Sequence, residues 1–240
     1  MRLAIRALAG VIGAASAVLL AAAPLAAQSA AADSAALALV ERSTAAYGSA
    51  RTLHATFSQT LTNPRTANVM RARGEFLQRG AEQFAFRFTD PAGDAIVADG
   101  DVLWLYLPSA AKGQVLKVPR AAGAGLDLVE SVLRSPRERY RVAALGDTTI
   151  DGRDVKAVAL TPRTSDAPFV RATLWIDAQA LIRRALLVEH SGLERLLEFT
   201  SVRTGVTLPS DAFVFTPPPG VRIIDQAALM GGSVPPKKKP

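Results

Sequence analysis

The sequence predicts a mainly β chain in which an antiparallel sheet curls toward a barrel or half-barrel, with two helices packed on it. Three observations carry this expectation. Between Gly74 and Pro108 apolar and polar residues alternate with a period of two, which puts Phe84, Phe86 and Phe88 on one strand face and Gln83, Ala85 and Arg87 on the other. Asp99-Gly100 stands between the apolar runs Ala95–Ala98 and Val102–Tyr106, the pattern of a tight hairpin. Strand-like segments recur along the chain, roughly nine to eleven of them, more than a flat sheet carries comfortably.

The elements follow in order. Arg2 and Arg6 precede an uncharged run from Ala7 to Ala23, which has the anatomy of a secretory signal peptide over residues 1–27, cleaved between Ala27 and Ala32. Asp33 or Ser34 can cap a helix in which Leu37, Val40, Thr44 and Tyr47 recur at helical spacing up to Gly48. Leu53, Ala55, Phe57, Gln59 and Leu61 alternate with polar residues in a first strand, and Asn63-Pro64 turns the chain. The next strand, Asn68 to Arg79, has Met70, Ala72, Gly74 and Phe76 on one face and a solvated row of Arg71, Arg73 and Glu75 on the other. Val102 to Leu107 is apolar on both faces, so something covers each side.

After a short strand at Gln114–Val118 comes the flexible connector Ala121–Gly125. Leu126, Val129 and Val132 or Leu133 then mark a short amphipathic helix stopped by Pro136. Such a helix on a loose hinge serves either as a mobile lid or as a crossover that closes one end of the sheet. Tyr140–Leu145, Val155–Thr161, Val170–Ile176, Leu181–His190 and Leu193–Val202 complete a meander, with Val170, Ala172, Leu174 and Ile176 on one face. Residues 28–226 form one domain, and the Pro-rich end at 227–240, with Lys237, Lys238 and Lys239, reads as a disordered tail.

Composition excludes several function classes. The chain has no Cys, so it needs no disulfide staple and carries no lipid-bearing cysteine after the signal. No later apolar run reaches the ~18 residues of a membrane span. The net charge of +7 includes Arg2, Arg6 and the tail lysines, which leaves a mildly basic body without the concentrated stripe of a nucleic-acid binder. No GxSxG, HExxH, P-loop or GxGxxG is present, and His54 and His190 read as surface residues, so neither an enzyme nor a cofactor or metal site is expected. Phe76, Phe84, Phe86, Phe88, Trp104, Trp175 and Phe199 fit either a packed core or the lining of a concave apolar cavity. Arg79, at a strand end, is either an ordinary exposed arginine or a fixed donor fork at the mouth of that cavity.

Five segments in order resemble the LolA family of periplasmic lipoprotein carriers. Leu53–Gln59 resembles its FxASFxQ start, Gly74–Arg79 its GxLWxxRP strand, and Phe84–Pro91 its FxWxxxxP. Asp99–Pro108 resembles DGxxLWxYxP, and Phe213–Val221 resembles FxFTPPxGV. Gly80 stands where the family has Pro, and one more residue separates Arg79 from the aromatics. The resemblance implies an unclosed antiparallel β-barrel under a helical lid, with a hydrophobic cavity for acyl chains. It puts the lid-holding arginine on Arg79 and the partner-facing aromatic on Phe84. The cavity is then lined by Phe57, Phe76, Phe84, Phe86, Phe88, Trp104, Tyr106, Leu126, Val129, Leu133 and Trp175. The implied function is a monomeric periplasmic chaperone for acylated lipoproteins. It would receive them from an ATP-driven inner-membrane complex and pass them to an outer-membrane acceptor. The alternative is a periplasmic lipoprotein-sensing regulator of the same half-barrel type.

Overall fold

The computed structural model describes residues 22–80, 82–119 and 132–229. Most of the expected signal segment, the connector 121–125 with Leu126 and Val129, and the Lys237–Lys239 tail lie outside the described residues. Helix α1 spans Ala22–Ser49. It starts earlier than the Asp33 or Ser34 cap because the alanine-rich run before Asp33 has high intrinsic helix propensity. Its buried stripe is Ala36, Leu39, Val40 and Ser43.

Twelve strands follow in one sheet: β1 Thr52–Asn63, β2 Asn68–Arg79, β3 Gln83–Asp90, β4 Ala92–Asp99, β5 Val102–Tyr106 and β6 Gln114–Pro119, then β7 Tyr140–Ile150, β8 Arg153–Pro162, β9 Arg171–Asp177, β10 Ile182–Val188, β11 Glu194–Thr204 and β12 Arg222–Asp225. The spatial order is β12-β6-β5-β4-β3-β2-β1-β11-β10-β9-β8-β7, so two meanders meet where β1 pairs with β11. All neighbours are antiparallel except β12 and β6. The sheet is a single unclosed curl, since residues from both meanders, from Leu103 and Val118 on one side to Leu160 and Leu174 on the other, share one core with α1. Among the described residues no helix is long and apolar enough to cross a membrane.

The predicted hairpin is present, and its chemistry divides between two residues. Gly100 alone takes the positive φ of 112°, while the Asp99 carboxylate accepts hydrogen bonds from the backbone N–H groups of Asp101 and Val102 at 3.0 and 2.8 Å. Strand β12 escapes the sequence pattern because it is four residues long and joins its neighbour in parallel. Val170 precedes β9 and is exposed, while Ala172, Leu174 and Ile176 are buried as expected.

Register decides which side chains meet. Ala55 faces Phe76, which faces Phe86, which faces Ile96, which faces Leu105. Since alternate residues point to opposite faces, these lie on the inner face with Leu53, Phe57, Phe84, Phe88 and Leu103, against α1. The outer face carries a smaller core of Leu77, Ala85 and Val97 with Ala212 and Phe213, packed by Leu208 and Phe215. The segment after β11 thus covers the outer side of the doubly apolar strand.

Gly74 marks the tightest approach. A Cβ there would lie 2.1 Å from the Arg87 carbonyl oxygen and 2.8 Å from the Phe88 Cα, where β2 and β3 shift register. Gly74→Ala is therefore expected to cost at least about 2 kcal/mol, read as a lowered midpoint in thermal or denaturant unfolding. Gly48→Ala in the last turn of α1 meets nothing within 4 Å and is expected to stabilise by a few tenths to about 1 kcal/mol.

Tyr47 ties α1 to the sheet by accepting a hydrogen bond from the Ile182 N–H at 3.1 Å. Burial pushes its phenol up to about 12 from an ordinary 10.0, against the lowering effects of that hydrogen bond and of Arg183. Folding favours the protonated phenol, so this contribution is whole below pH 10 and is lost as pH rises through about 12. The stability difference between wild type and Tyr47→Phe, measured by chemical unfolding, is expected to shift toward the phenylalanine variant over that alkaline window. A difference that stays constant would mean Tyr47 titrates normally.

Candidate functional site

The inner face brings five phenylalanines of the sequence expectation into one aromatic floor. Phe57 meets Phe86 and Phe88 edge-on at centroid distances of 5.3 and 5.4 Å, and Phe86 lies 4.6 Å from Phe76 and 6.1 Å from Phe84. Phe86 is the hub, touching each of the others. Phe57, Phe76, Phe84 and Phe86 are buried, and Phe88 is half-buried at the margin of the floor. Leu133 joins the same core, together with Val132 and the α1 stripe.

Three expected lining residues lie on the other side of the sheet. Trp104 and Tyr106 alternate with the inward Leu103 and Leu105, so both point outward, each with its ring centroid 5.6 Å from that of Phe215. Trp175 alternates with the buried Leu174 and Ile176, and on the outer face the Arg184 guanidinium sits 5.6 Å above it. Arg184 also pairs with Glu198 at 2.6 Å. The strand period fixes these sides regardless of how apolar the residues are.

Parity also relocates Arg79. With Phe76 inward, the next inward residue of β2 is Gln78, and Arg79 turns outward with Leu77. Its guanidinium stacks 4.9 Å over the Phe213 ring. Gln78 is buried, and its side-chain N–H donates to the Gly80 carbonyl at 2.9 Å. The geometry gives Arg79 a role in the outer strap and does not bring it to α1.

The cover is held by other groups, all separated widely in sequence. The Thr44 hydroxyl lies 2.9 Å from the Leu133 carbonyl and 3.1 Å from that of Val40. Glu41 receives Arg137 in a bidentate pair at 2.9 and 3.1 Å, which joins α1 to the one-turn helix Pro136–Arg139. Asp33 accepts from the Ala144 N–H of β7 at 2.9 Å. These contacts have no local sequence signature; only the polar residues beside the apolar stripe of α1 hint at them.

The histidines lie away from the floor. His54, on the outer face, stands between Arg203 at 2.9 Å and Glu75 at 3.6 Å, a carboxylate partner the sequence did not suggest. His190 Nε2 is 2.9 Å from the Ala167 carbonyl oxygen. Among the described residues no group of three or more His, Asp or Glu side chains is placed to hold a metal ion.

Comparison with known proteins agrees with this architecture. The family model described as outer membrane lipoprotein carrier protein LolA matches residues 48–216. An outer-membrane lipoprotein carrier protein of Methylibium petroleiphilum is 31% identical over 176 residues, 73% of this chain and 84% of that protein. One of the same description from Nitrosospira multiformis is 27% identical over 177 residues, 74% of this chain and 84% of that protein. The fold is shared with an uncharacterized conserved protein from Thermus thermophilus, with a TM-score of 0.52 at 14% identity, covering 80% of this chain and 99% of that one. With an unclosed twelve-stranded curl, a helix on its inner face and a family match over most of the domain, the chain belongs to the LolA family of outer-membrane lipoprotein carrier proteins.

Proposed function

We propose that the chain is a periplasmic carrier that shields the acyl chains of lipoproteins between the inner and outer membranes. The observation that supports this best is the aromatic floor of Phe57, Phe76, Phe84, Phe86 and Phe88 beneath a helix tied on by a few polar contacts. Burying each methylene is worth about 0.8 kcal/mol, so an acylated cargo gains strongly by entering such an interior. Exposed ion pairs such as Glu41–Arg137 contribute at most about 1 kcal/mol each, so cargo can displace the cover without disrupting the sheet. The relatives carry the carrier description, and the expected partners are an ATP-driven releasing complex in the inner membrane and an acceptor in the outer membrane. Phe88, half-buried at the edge of the floor, is the most exposed of its five aromatics.

Protein purified from periplasm is expected to carry acylated lipoprotein, detectable by mass spectrometry. Empty protein, together with correct lipoprotein sorting after depletion, would overturn the reading. Phe88→Asp, which puts a charge at the floor, is expected to reduce co-purified cargo at least about tenfold. Trp104→Ala, on the outer face, is expected to retain it. The reverse pattern, in variants shown by thermal melts to be folded, would move the acyl site off the inner face.

A further inference from the structure

The outer face near the β12 edge carries apolar groups that the segment after β11 leaves partly open. Trp104 and Tyr106 are half-buried, and Phe215, itself half-buried, lies 5.6 Å from each. Val214, between Phe213 and Phe215, is 59% exposed. Strand β12 extends this surface past β6. Ile223 aligns with Val115, which alternates with the inward Leu116, so both point outward. Val115 is buried, whereas Ile223, at the sheet edge, is 49% exposed. Two exposed aliphatic side chains therefore accompany a half-exposed aromatic trio at this end of the sheet.

The unmatched charge beside these groups is positive. Lys117 and Asp225 neutralise each other at 3.0 Å, and the buried Asp94 carboxylate accepts from Ser109. Asp99 and Asp101 belong to the hairpin at the opposite end of β5, and Asp211 lies beside Arg87, which donates to its carbonyl at 3.4 Å. Lys112 and Arg222 remain. Both are exposed, and the Arg222 N–H donates to the carbonyl of Gly113, the neighbour of Lys112, at 2.9 Å. Among the described residues neither forms an ion pair. Lys237, Lys238 and Lys239 add three positive charges, beginning eight residues after Leu229, the end of the one-turn helix Gln226–Leu229 that follows β12. Eight residues span at most about 28 Å, so these lysines are tethered to the same edge of the sheet.

We propose that this face docks reversibly on a membrane surface rich in anionic lipid. Tyr106, Phe215, Val214 and Ile223 enter the headgroup layer, and Lys112, Arg222 and the three lysines face lipid phosphates. Trp and Tyr rings, apolar with a polar tip, favour the boundary between headgroups and acyl chains. Basic residues near an anionic surface add an attraction that salt screens, while a shallow apolar contact adds one that salt does not remove. Affinity for such a surface rises with both, and this face presents both together. The outer side of a curled sheet is convex, and a lipid surface adapts to it without a complementary partner shape. The phenylalanine floor is on the other side of the sheet, so docking does not rest on the carrier function.

The test is flotation of the protein purified from periplasm with vesicles of phosphatidylcholine, with and without phosphatidylglycerol. The protein is expected to float with the anionic vesicles at low salt, several-fold less at about 0.5 M salt, and not with phosphatidylcholine alone. Lys237→Gln, Lys238→Gln and Lys239→Gln together are expected to weaken binding at least about tenfold. Ile223→Asp is expected to weaken it about fivefold or more, with co-purified cargo unchanged. Ile223 is exposed, so an unchanged melting temperature will show that the fold is intact. Equal flotation with both vesicle types, or full binding by the triple variant or by Ile223→Asp, overturns the proposal. Failure of the wild type to float with anionic vesicles also overturns it and leaves the face to a protein partner. Vesicle binding that survives Ile223→Asp and is lost in Phe88→Asp would belong to the inner face, which refutes the outer surface and leaves the carrier function standing.

Discussion

The close approach of β3 to Gly74 is the contact on which the inner face depends. The register of β1 against β2 puts Phe57 opposite Gly74, and the register of β2 against β3 puts Gly74 opposite Phe88. Because Gly74 has no Cβ, the β3 backbone can close over it, and Phe88 then reaches Phe57 across the vacant position. Any larger residue would push β3 away and separate the two rings. The omission lets Phe88 meet Phe57 as well as Phe86, the hub of the floor.

The two faces of the sheet are covered by different means, and the energies explain why. On the outside, Phe213 and Phe215 lie against β2 through β5, Arg79 stacks on Phe213, and Arg87 donates to the Ala212 carbonyl at 2.9 Å. That strap follows β11 directly in the chain. On the inside, α1 contributes a narrow stripe of small and medium side chains, with polar contacts at its margins. Burying a whole Leu or Val side chain is worth about 1.5–3 kcal/mol, and an acyl chain supplies several times that in methylenes.

Much of this was legible in the sequence. The period of two located β1 to β6, the Asp99-Gly100 hairpin and the shared face of Phe84, Phe86 and Phe88. The sidedness of Trp104, Tyr106, Trp175 and Arg79 was equally legible by parity, because Phe76 inward forces Arg79 outward and Leu103 inward forces Trp104 outward. Aromatic character drew Trp104, Tyr106 and Trp175 to the cavity, and the family resemblance drew Arg79 to its mouth; position in the pleat placed them elsewhere. Pairings such as Glu41 with Arg137 and Tyr47 with Ile182 were not legible, since they join residues brought together only after the sheet has curled. The parallel strand β12 was hidden because four residues offer too short a pattern.

The open edges complete the logic. A twelve-stranded sheet that paired β7 with β12 would be a closed barrel, with its interior reached only through its ends. Left open, the curl admits α1 along its inner face. An open edge invites unwanted strand pairing, and β7 meets that risk locally. The Asp33 carboxylate takes the Ala144 N–H, and a register shift between Ala144 and Gly146 disrupts the edge just beyond it. Asp33 therefore serves both the helix and the edge: the residue that docks α1 onto β7 also occupies the backbone donor that a foreign strand would use.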